Sequence, residues 1–196
     1  MNMPQPMRPS SKPGKAGAVI THGPNIILQR PELAAQIGNI IANWTLVETG
    51  LLDLYALMMG DYLNVPEPEP GWVKTPANHP VASQVFEKIQ SFNARLDLVE
   101  ALFKWRATPE ENEQFSLKLK KQIRAAYKSR NSIAHDGWAV SKSYPDALLL
   151  TRIYGHPQIY KLQDFEQISK AICDAYTDLG SLSHAMFKRR MIALQG

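Results

Sequence analysis

A long apolar stripe near the start of the chain limits the fold more than any other feature. Apolar side chains recur there at steps of three and four residues, which is the spacing of one face of an α-helix. They are Leu33, Ile37, Ile40, Trp44, Val47, Leu51, Leu54 and Met58. Pro31 and Glu32 suit the first turn of this helix, and Gly60 suits its end. A helix with such a face needs further elements to pack against, so the pattern predicts a helical bundle.

Three more segments follow the helical pattern. The second helix is predicted from near Pro80 to before Thr108, with an apolar stripe at Val81, Val85, Ile89, Phe92, Leu96, Val99 and Phe103. Thr108 and Glu111 then form a capping box that begins the third helix, which ends at His135. The last helix is predicted from about Asp164. The predicted core includes Trp44, Ile89, Phe92, Ile123, Ile172 and Leu179.

Short β-rich segments separate the third helix from the last. Residues 138–144, 147–154 and 158–162 are rich in Val, Ile, Leu and Tyr, with turn signals at Pro145-Asp146 and at residues 155–157. The predicted fold is therefore mainly α: an antiparallel bundle of four main helices with a small hairpin or meander before the last helix. Residues 1–24 are rich in proline and predict a flexible, weakly basic tail, and residues 64–80 predict a stiff loop. Residues 25–196 are predicted to form a single domain.

The composition excludes several classes of protein. No apolar run is long enough for a membrane span, and the chain start lacks a secretory signal. Cys173 is the only cysteine, so neither a disulfide within the chain nor a cysteine-based zinc site is expected, and a cytoplasmic protein is predicted. The chain has 22 Lys+Arg and 18 Asp+Glu, and the excess lies in residues 1–31, which contain no acid. A nucleic-acid site would therefore need a local basic cluster.

Such a cluster lies in the third helix, where no acidic residue occurs between Gln114 and His135. At about 100° per residue, four cations share one helix face, which is either a solvated face or an RNA-binding surface. These cations are Lys120, Lys121, Arg124 and Lys128. Arg130 lies instead within the apolar stripe, where a charge is costly unless it is paired. Glu48 is similarly placed in the first helix, so we predict a Glu48–Arg130 pair, unless both side chains extend to water at the rim.

The end of this helix carries a recognisable motif, since residues 130–138 read RNSIAHDGW. The string resembles the RX4-6H motif of the HEPN superfamily, and the helical pattern of residues 31–190 is compatible with its fold. The resemblance implies a helical bundle of a kind that is often a metal-independent ribonuclease or toxin and is sometimes catalytically inert. In toxins paired with nucleotidyltransferase-type antitoxins, a tyrosine often stands two positions after the histidine, where this chain has Gly137.

The motif residues suit RNA cleavage without a cofactor or metal. His135 can transfer protons near neutral pH, Arg130 can hold a phosphate through two hydrogen bonds, and Asn131 can orient either group. The alternative interpretation is that Arg130 is a structural arginine and that His135 is a helix-terminal histidine whose ring is satisfied by a backbone carbonyl. Arg130 and His135 are five residues apart, about 140° around a helix, so the complete site is predicted to need two chains.

We therefore expect a metal-independent endoribonuclease of HEPN type that cuts RNA through attack by its 2′-OH. The resemblance adds a toxin or anti-phage setting, a homodimer, and an antitoxin or defence-system partner; no membrane partner is expected. The alternatives are an inert HEPN-type module that mediates assembly or binds RNA, and a plain helical adaptor.

Overall fold

The chain is mainly α-helical with one small antiparallel sheet in the computed structural model, which describes residues 5–6, 19–60, 80–151 and 156–193. The helices are α1 (Pro31–Met59), α2 (Pro80–Lys88), α3 (Phe92–Arg106), α4 (Pro109–Glu113), α5 (Lys120–His135) and α6 (Leu162–Ala193). A π-helical segment, Gln114–Leu119, joins α4 directly to α5. Within these described residues, no helix is both long enough and apolar enough to span a bilayer. Except for Pro80, the predicted loop 64–80 lies outside them.

The first helix forms as its apolar stripe predicts. All eight stripe residues from Leu33 to Met58 are buried, with no more than 7% of any of them exposed. The predicted start of the third helix is also confirmed. The Thr108 side chain accepts the Glu111 N–H at 3.3 Å, and the Glu111 carboxylate accepts the Thr108 N–H at 3.0 Å. This reciprocal pair satisfies two backbone donors that the first turn of a helix leaves open.

The prediction of one continuous second helix is wrong, because the chain breaks between α2 and α3. Ser91 has an extended backbone and acts as the N-cap of α3, its side chain accepting the Ala94 N–H at 3.4 Å. Arg95 reaches back and donates from Nε to the Ile89 carbonyl at 2.7 Å, so the open end of α2 gains a partner. The capping ability of serine outweighs the apolar periodicity that runs across it.

The break changes which residues of α2 are buried. Val81 and Val85, predicted in the core, are 62% and 51% exposed, whereas Phe86 is buried and packs its ring 4.8 Å from that of Tyr55. Ile89 is half-buried instead of fully buried. The other predicted core residues, among them Trp44 and Phe92, are buried.

The sheet combines two strands that precede α1 with three that follow α5, and its strand order is β1-β5-β4-β3-β2 among the described residues. Its strands are β1 (Gln5–Pro6), β2 (Ile20–Thr21), β3 (Gly137–Ser141), β4 (Tyr144–Thr151) and β5 (Gln158–Tyr160). The predicted meander is therefore present, but its first turn is at Lys142-Ser143 and not at Pro145-Asp146. The register between β3 and β4 shifts near Ala139 and Ser141, and Pro145 lies in β4 within this irregularity. Proline is tolerated at such a bulge because no ladder hydrogen bond requires its missing N–H.

Part of the predicted tail takes part in this sheet. Ile20 and Thr21 pair with Ser141 and Val140 at one edge, and Gln5–Pro6 pairs with β5 at the other. At these four residues the tail is paired strand instead of flexible chain. Residues 1–4 and 7–18 lie outside the described residues.

The chain divides into two compact units: residues 1–44 with 126–172, and residues 45–125 with 173–196. Helices α1, α5 and α6 each contribute to both units. The first unit contains the sheet and an aromatic cluster of Trp138, Tyr160 and Phe165. The second unit is helical, and its core includes the stacked rings of Phe103 and Phe115, 4.3 Å apart. The prediction that residues 25–196 form a single domain stays a prediction.

Candidate functional site

The predicted catalytic residues lie at the C-terminal end of α5, in the first unit. The indole Nε1 of Trp138 donates to the Ile133 carbonyl at 3.2 Å, and the Asp136 N–H donates to the Ser132 carbonyl at 3.0 Å. Both bonds satisfy carbonyls that a helix end leaves open. Because the Trp138 ring also packs on Phe165, this end of α5 is fixed against the core of the unit.

Arg130 occupies the inner side of α5, as its place in the apolar stripe predicts. Ala126 and Ile133, on the preceding and following turns, are buried. Arg130 is half-buried, and its Nε atom is buried without a hydrogen-bond partner in the described part of the chain. A buried donor without an acceptor costs about 1–3 kcal/mol. Because Nε itself is buried, an acceptor from solution would have to bind the guanidinium group through its Nη atoms.

His135 is the last residue of α5 and is exposed. The helical hydrogen bonding continues through Asp136, so His135 keeps its helical position, about 140° around the axis from Arg130. Asn131 is half-buried and directly follows Arg130. The structure thus brings three predicted residues to one helix end, but Arg130 and His135 lie on different sides of it.

Glu48 lies near one cation of α3. Its carboxylate is 3.9 Å from Nη1 of Arg95, within the second unit. Arg130 belongs to the first unit, so the Glu48–Arg130 pair stays a prediction.

Two of the four predicted RNA-binding cations are neutralised by acidic residues of α3. Lys120, with 9% of its side chain exposed, places Nζ 2.9 Å from Asp97 and 2.8 Å from Glu100. Arg124 lies 2.8 Å from Asp97. The interpretation of Lys120 as part of a solvated basic face is wrong, whereas Lys121 and Lys128 are exposed as predicted.

The acidic cluster around Lys120 changes the proton affinity of all three groups. Hydrogen bonds from Lys120 lower the pKa of both Asp97 and Glu100, against the opposing effect of burial. Burial disfavours the charged form of Lys120, but its bonds to the two carboxylates outweigh this and raise its pKa. The cluster is thus a structural ion network of the second unit.

Gly137, two positions after His135, lies in a tight contact with β4. Thr151 Oγ1 donates to the Gly137 carbonyl at 3.0 Å. A Cβ atom at Gly137 would lie 3.1 Å from Thr151 Oγ1, which is closer than most Cβ contacts in proteins. The lack of a side chain thus permits the tight first pair of β3 with β4.

Sequence reasoning missed two residues that position the site and its surroundings. Trp138, which holds the end of α5, stands in the motif string, but a strand tryptophan does not by itself indicate a bond to a helix carbonyl. Arg95, the partner of Glu48, appears only as an ordinary polar residue of the second helix. Among the described residues, no group of three or more His, Cys, Asp or Glu side chains is placed to hold a metal ion.

Comparison of the chain with protein-family models, with curated proteins and with solved structures gave no match. The function proposed below therefore depends on the residues at the end of α5 and on the resemblance of their motif.

Proposed function

We propose that this chain is a metal-independent endoribonuclease of HEPN type, with Arg130 and His135 as its catalytic residues. The observation that carries the proposal is that two unusual side chains, Arg130 and His135, both lie at the end of α5, which is fixed to the core of its unit. Arg130 has a buried Nε donor without a partner in the described part of the chain, and His135 is exposed five residues later. A phosphate supplies acceptors for such a guanidinium group.

The chemistry needs little beyond these groups, because RNA carries its own nucleophile. The 2′-oxygen attacks the adjacent phosphorus as its proton passes to a base, and the bond to the 5′-oxygen breaks as that oxygen receives a proton. His135 transfers protons in this reaction, since an imidazole both accepts and donates a proton through its ring nitrogens. Arg130 stabilises the charge that develops on the phosphoryl oxygens. The products are a 2′,3′-cyclic phosphate and a free 5′-hydroxyl.

The complete site is formed by two chains. A histidine about 140° around the helix from Arg130 does not face the same phosphate, and one histidine does not readily act as base and acid in one step. A two-fold axis beside the end of α5 would place two Arg130 and two His135 around one phosphate. Lys121 and Lys128, exposed on the same helix, contribute to RNA attraction.

The test is cleavage of RNA by purified protein in excess EDTA, with Arg130→Ala and His135→Ala as inactive variants. We expect cyclic phosphate ends from the wild type and a loss of at least about 100-fold in each variant, within the usual range for acid–base catalysis. Lys121→Ala, a change of the same charge on the same helix, should reduce cleavage only modestly. Cleavage that EDTA abolishes and Mg²⁺ restores would contradict the mechanism.

The second candidate is an inert module of the same type that binds RNA or mediates assembly. The divergence of Arg130 and His135 on one helix favours it, because a single chain does not focus both groups on one phosphate. Binding of RNA without cleavage, weakened by Arg130→Ala, would identify this function. The toxin or anti-phage setting follows from the resemblance of the motif alone.

A further inference from the structure

A cavity of ≈ 320 Å³ lies between α1 and α6 in the second unit, and its lining includes no residue of α5. Helix α1 contributes Gly50 and Asp53 to its lining, and α6 contributes Tyr176, Gly180, His184 and Phe187. The volume is at the lower end of the range for small-molecule sites. Its lining combines one carboxylate with two aromatic rings.

Two glycines shape this cavity. A Cβ atom at Gly50 would lie 3.4 Å from the side chain of Leu179, so the lack of a side chain lets α1 and α6 approach closely. A Cβ atom at Gly180 would meet nothing within 4 Å. Gly180 is an exposed lining residue, so a side chain there would extend into open space at the edge of the cavity.

Asp53 is the charged group of the cavity that lacks a partner. It is half-buried, and it makes no hydrogen bond or ion pair with any described residue, His184 included. Burial raises the pKa of its carboxyl group. A carboxylate in this position is stabilised by any cation that enters beside it.

We propose that the cavity binds an organic cation, an alkylammonium or guanidinium group, with Asp53 as its charge partner. The ring of Tyr176, which is 42% exposed, supplies a face that attracts a cation and covers its carbon atoms. An anion would meet the Asp53 carboxylate, and a neutral apolar molecule would leave that carboxylate unpaired. A metal ion would need several oxygen or nitrogen ligands, and the lining offers only Asp53 and His184 as strong ones.

Calorimetry and amide NMR shifts measure the binding of four probes to the full chain. The probes are n-butylammonium, n-butylguanidinium, n-butanol and butyrate. We expect saturable binding of both cations and at least about tenfold weaker binding of the alcohol and the acid. Shifts should centre on α1 near Asp53 and on α6 near Gly180. Equal affinity for n-butanol, or no saturable binding of either cation, would overturn the proposal.

Two variants test separately the charge of Asp53 and the open space beside Gly180. Asp53→Asn should weaken cation binding at least about tenfold, and Gly180→Leu should do the same by filling the cavity. Both should fold, because the first removes an unpaired half-buried charge and the second adds a better helix former at an exposed site. Glu166→Gln, an exposed change of the same charge elsewhere on α6, should leave binding within twofold. Unchanged affinity in a folded Asp53→Asn protein would overturn the assignment of the charge partner.

The cation has two sources, a free amine or a lysine or arginine side chain of a polypeptide. The tripeptides Gly-Lys-Gly and Gly-Arg-Gly distinguish them: affinity at least equal to the alkyl cations indicates a polypeptide ligand, and clearly weaker affinity indicates a free amine. Either result keeps the organic cation as the ligand class. Binding by this cavity is independent of the proposed ribonuclease activity and is measured without it.

Discussion

Trp44 and Trp105 lie at opposite extremes of exposure, 1% and 87%. Trp44 packs its ring 5.6 Å from that of Tyr127. We expect Trp44→Ala to lower the free energy of unfolding by about 3–5 kcal/mol, the usual cost of emptying a large core site. Trp105→Ala, the matched control, should change it by less than about 0.5 kcal/mol. Urea denaturation measures both, and a loss below about 1 kcal/mol for Trp44→Ala would contradict its core role.

Lys120 gives the second unit a stability that depends on pH. Because the pKa values of Asp97 and Glu100 are lowered on folding, the unfolded chain binds more protons in the acid range. The stabilisation that the bonds from Lys120 to Asp97 and Glu100 give to the fold is therefore complete above the ordinary pKa of carboxyl groups. It is lost as the pH falls through the lowered values in the folded protein.

The corresponding variant is Lys120→Met, which keeps the apolar stem and removes the charge. We expect a loss of about 1–3 kcal/mol at pH 7, less than for a fully buried pair because Asp97 is half exposed. The difference from wild type should shrink on acidification, as thermal unfolding at several pH values would show. Lys121→Met, at an exposed neighbour, should have little effect. A Lys120→Met deficit that is constant between pH 7 and pH 3 would rule out the ion network as its cause.

At the scale of elements, the capping box at Thr108 holds the start of a helix that leads through the π-helical segment into α5. Thr108→Ala should cost about 0.5–2 kcal/mol, because the Glu111 N–H loses its acceptor. Thr108→Ser retains the hydroxyl and should cost much less. Thermal unfolding of the three proteins checks this, and equal stability of the alanine and serine variants would disprove the role of the cap.

Apolar periodicity predicts a helix correctly where burial of one face decides its bounds. It fails where a local hydrogen bond caps a new helix within the apolar pattern. The stripe of α1 runs without interruption, and every predicted position is buried. The stripe across residues 81–103 is equally regular, but Ser91 breaks it by capping α3. Apolar spacing does not show whether Ser91 caps a new helix, so it predicts Val81 and Val85 in the core, whereas the structure has both exposed.

The site shows the same division between local pattern and tertiary contact. The inward position of Arg130 follows from spacing along a single helix, and the structure agrees. The partners of Lys120, Arg124 and Glu48 do not follow from spacing, because all of them come from α3. Which side chains α3 presents depends on where it begins, and that start is set by the break at Ser91.

At the scale of the whole molecule, the two-chain site predicts that inactive chains reduce the activity of active ones. Mixing wild-type protein with an excess of Arg130→Ala chains should lower cleavage per wild-type chain, because most wild-type chains then pair with a defective partner. An equal excess of Glu166→Gln chains, which keep both proposed catalytic residues, is the control and should instead raise total cleavage in proportion to the chains added. Constant activity per wild-type chain, with heterodimers demonstrated by tagged chains, would show that each chain holds a complete site.

The strands contributed by the first 24 residues have a consequence for such measurements. β1 and β2 occupy the two outer positions of the sheet, beside β5 and β3. A protein lacking residues 1–24 would expose the backbone donors and acceptors of both neighbours, which are ready to pair with a strand of another molecule. Pairing of such molecules would use these sheet edges in place of the surface beside the end of α5. Their oligomers would report on exposed sheet edges and not on the association of α5, so the intact chain is the form in which self-association is meaningful.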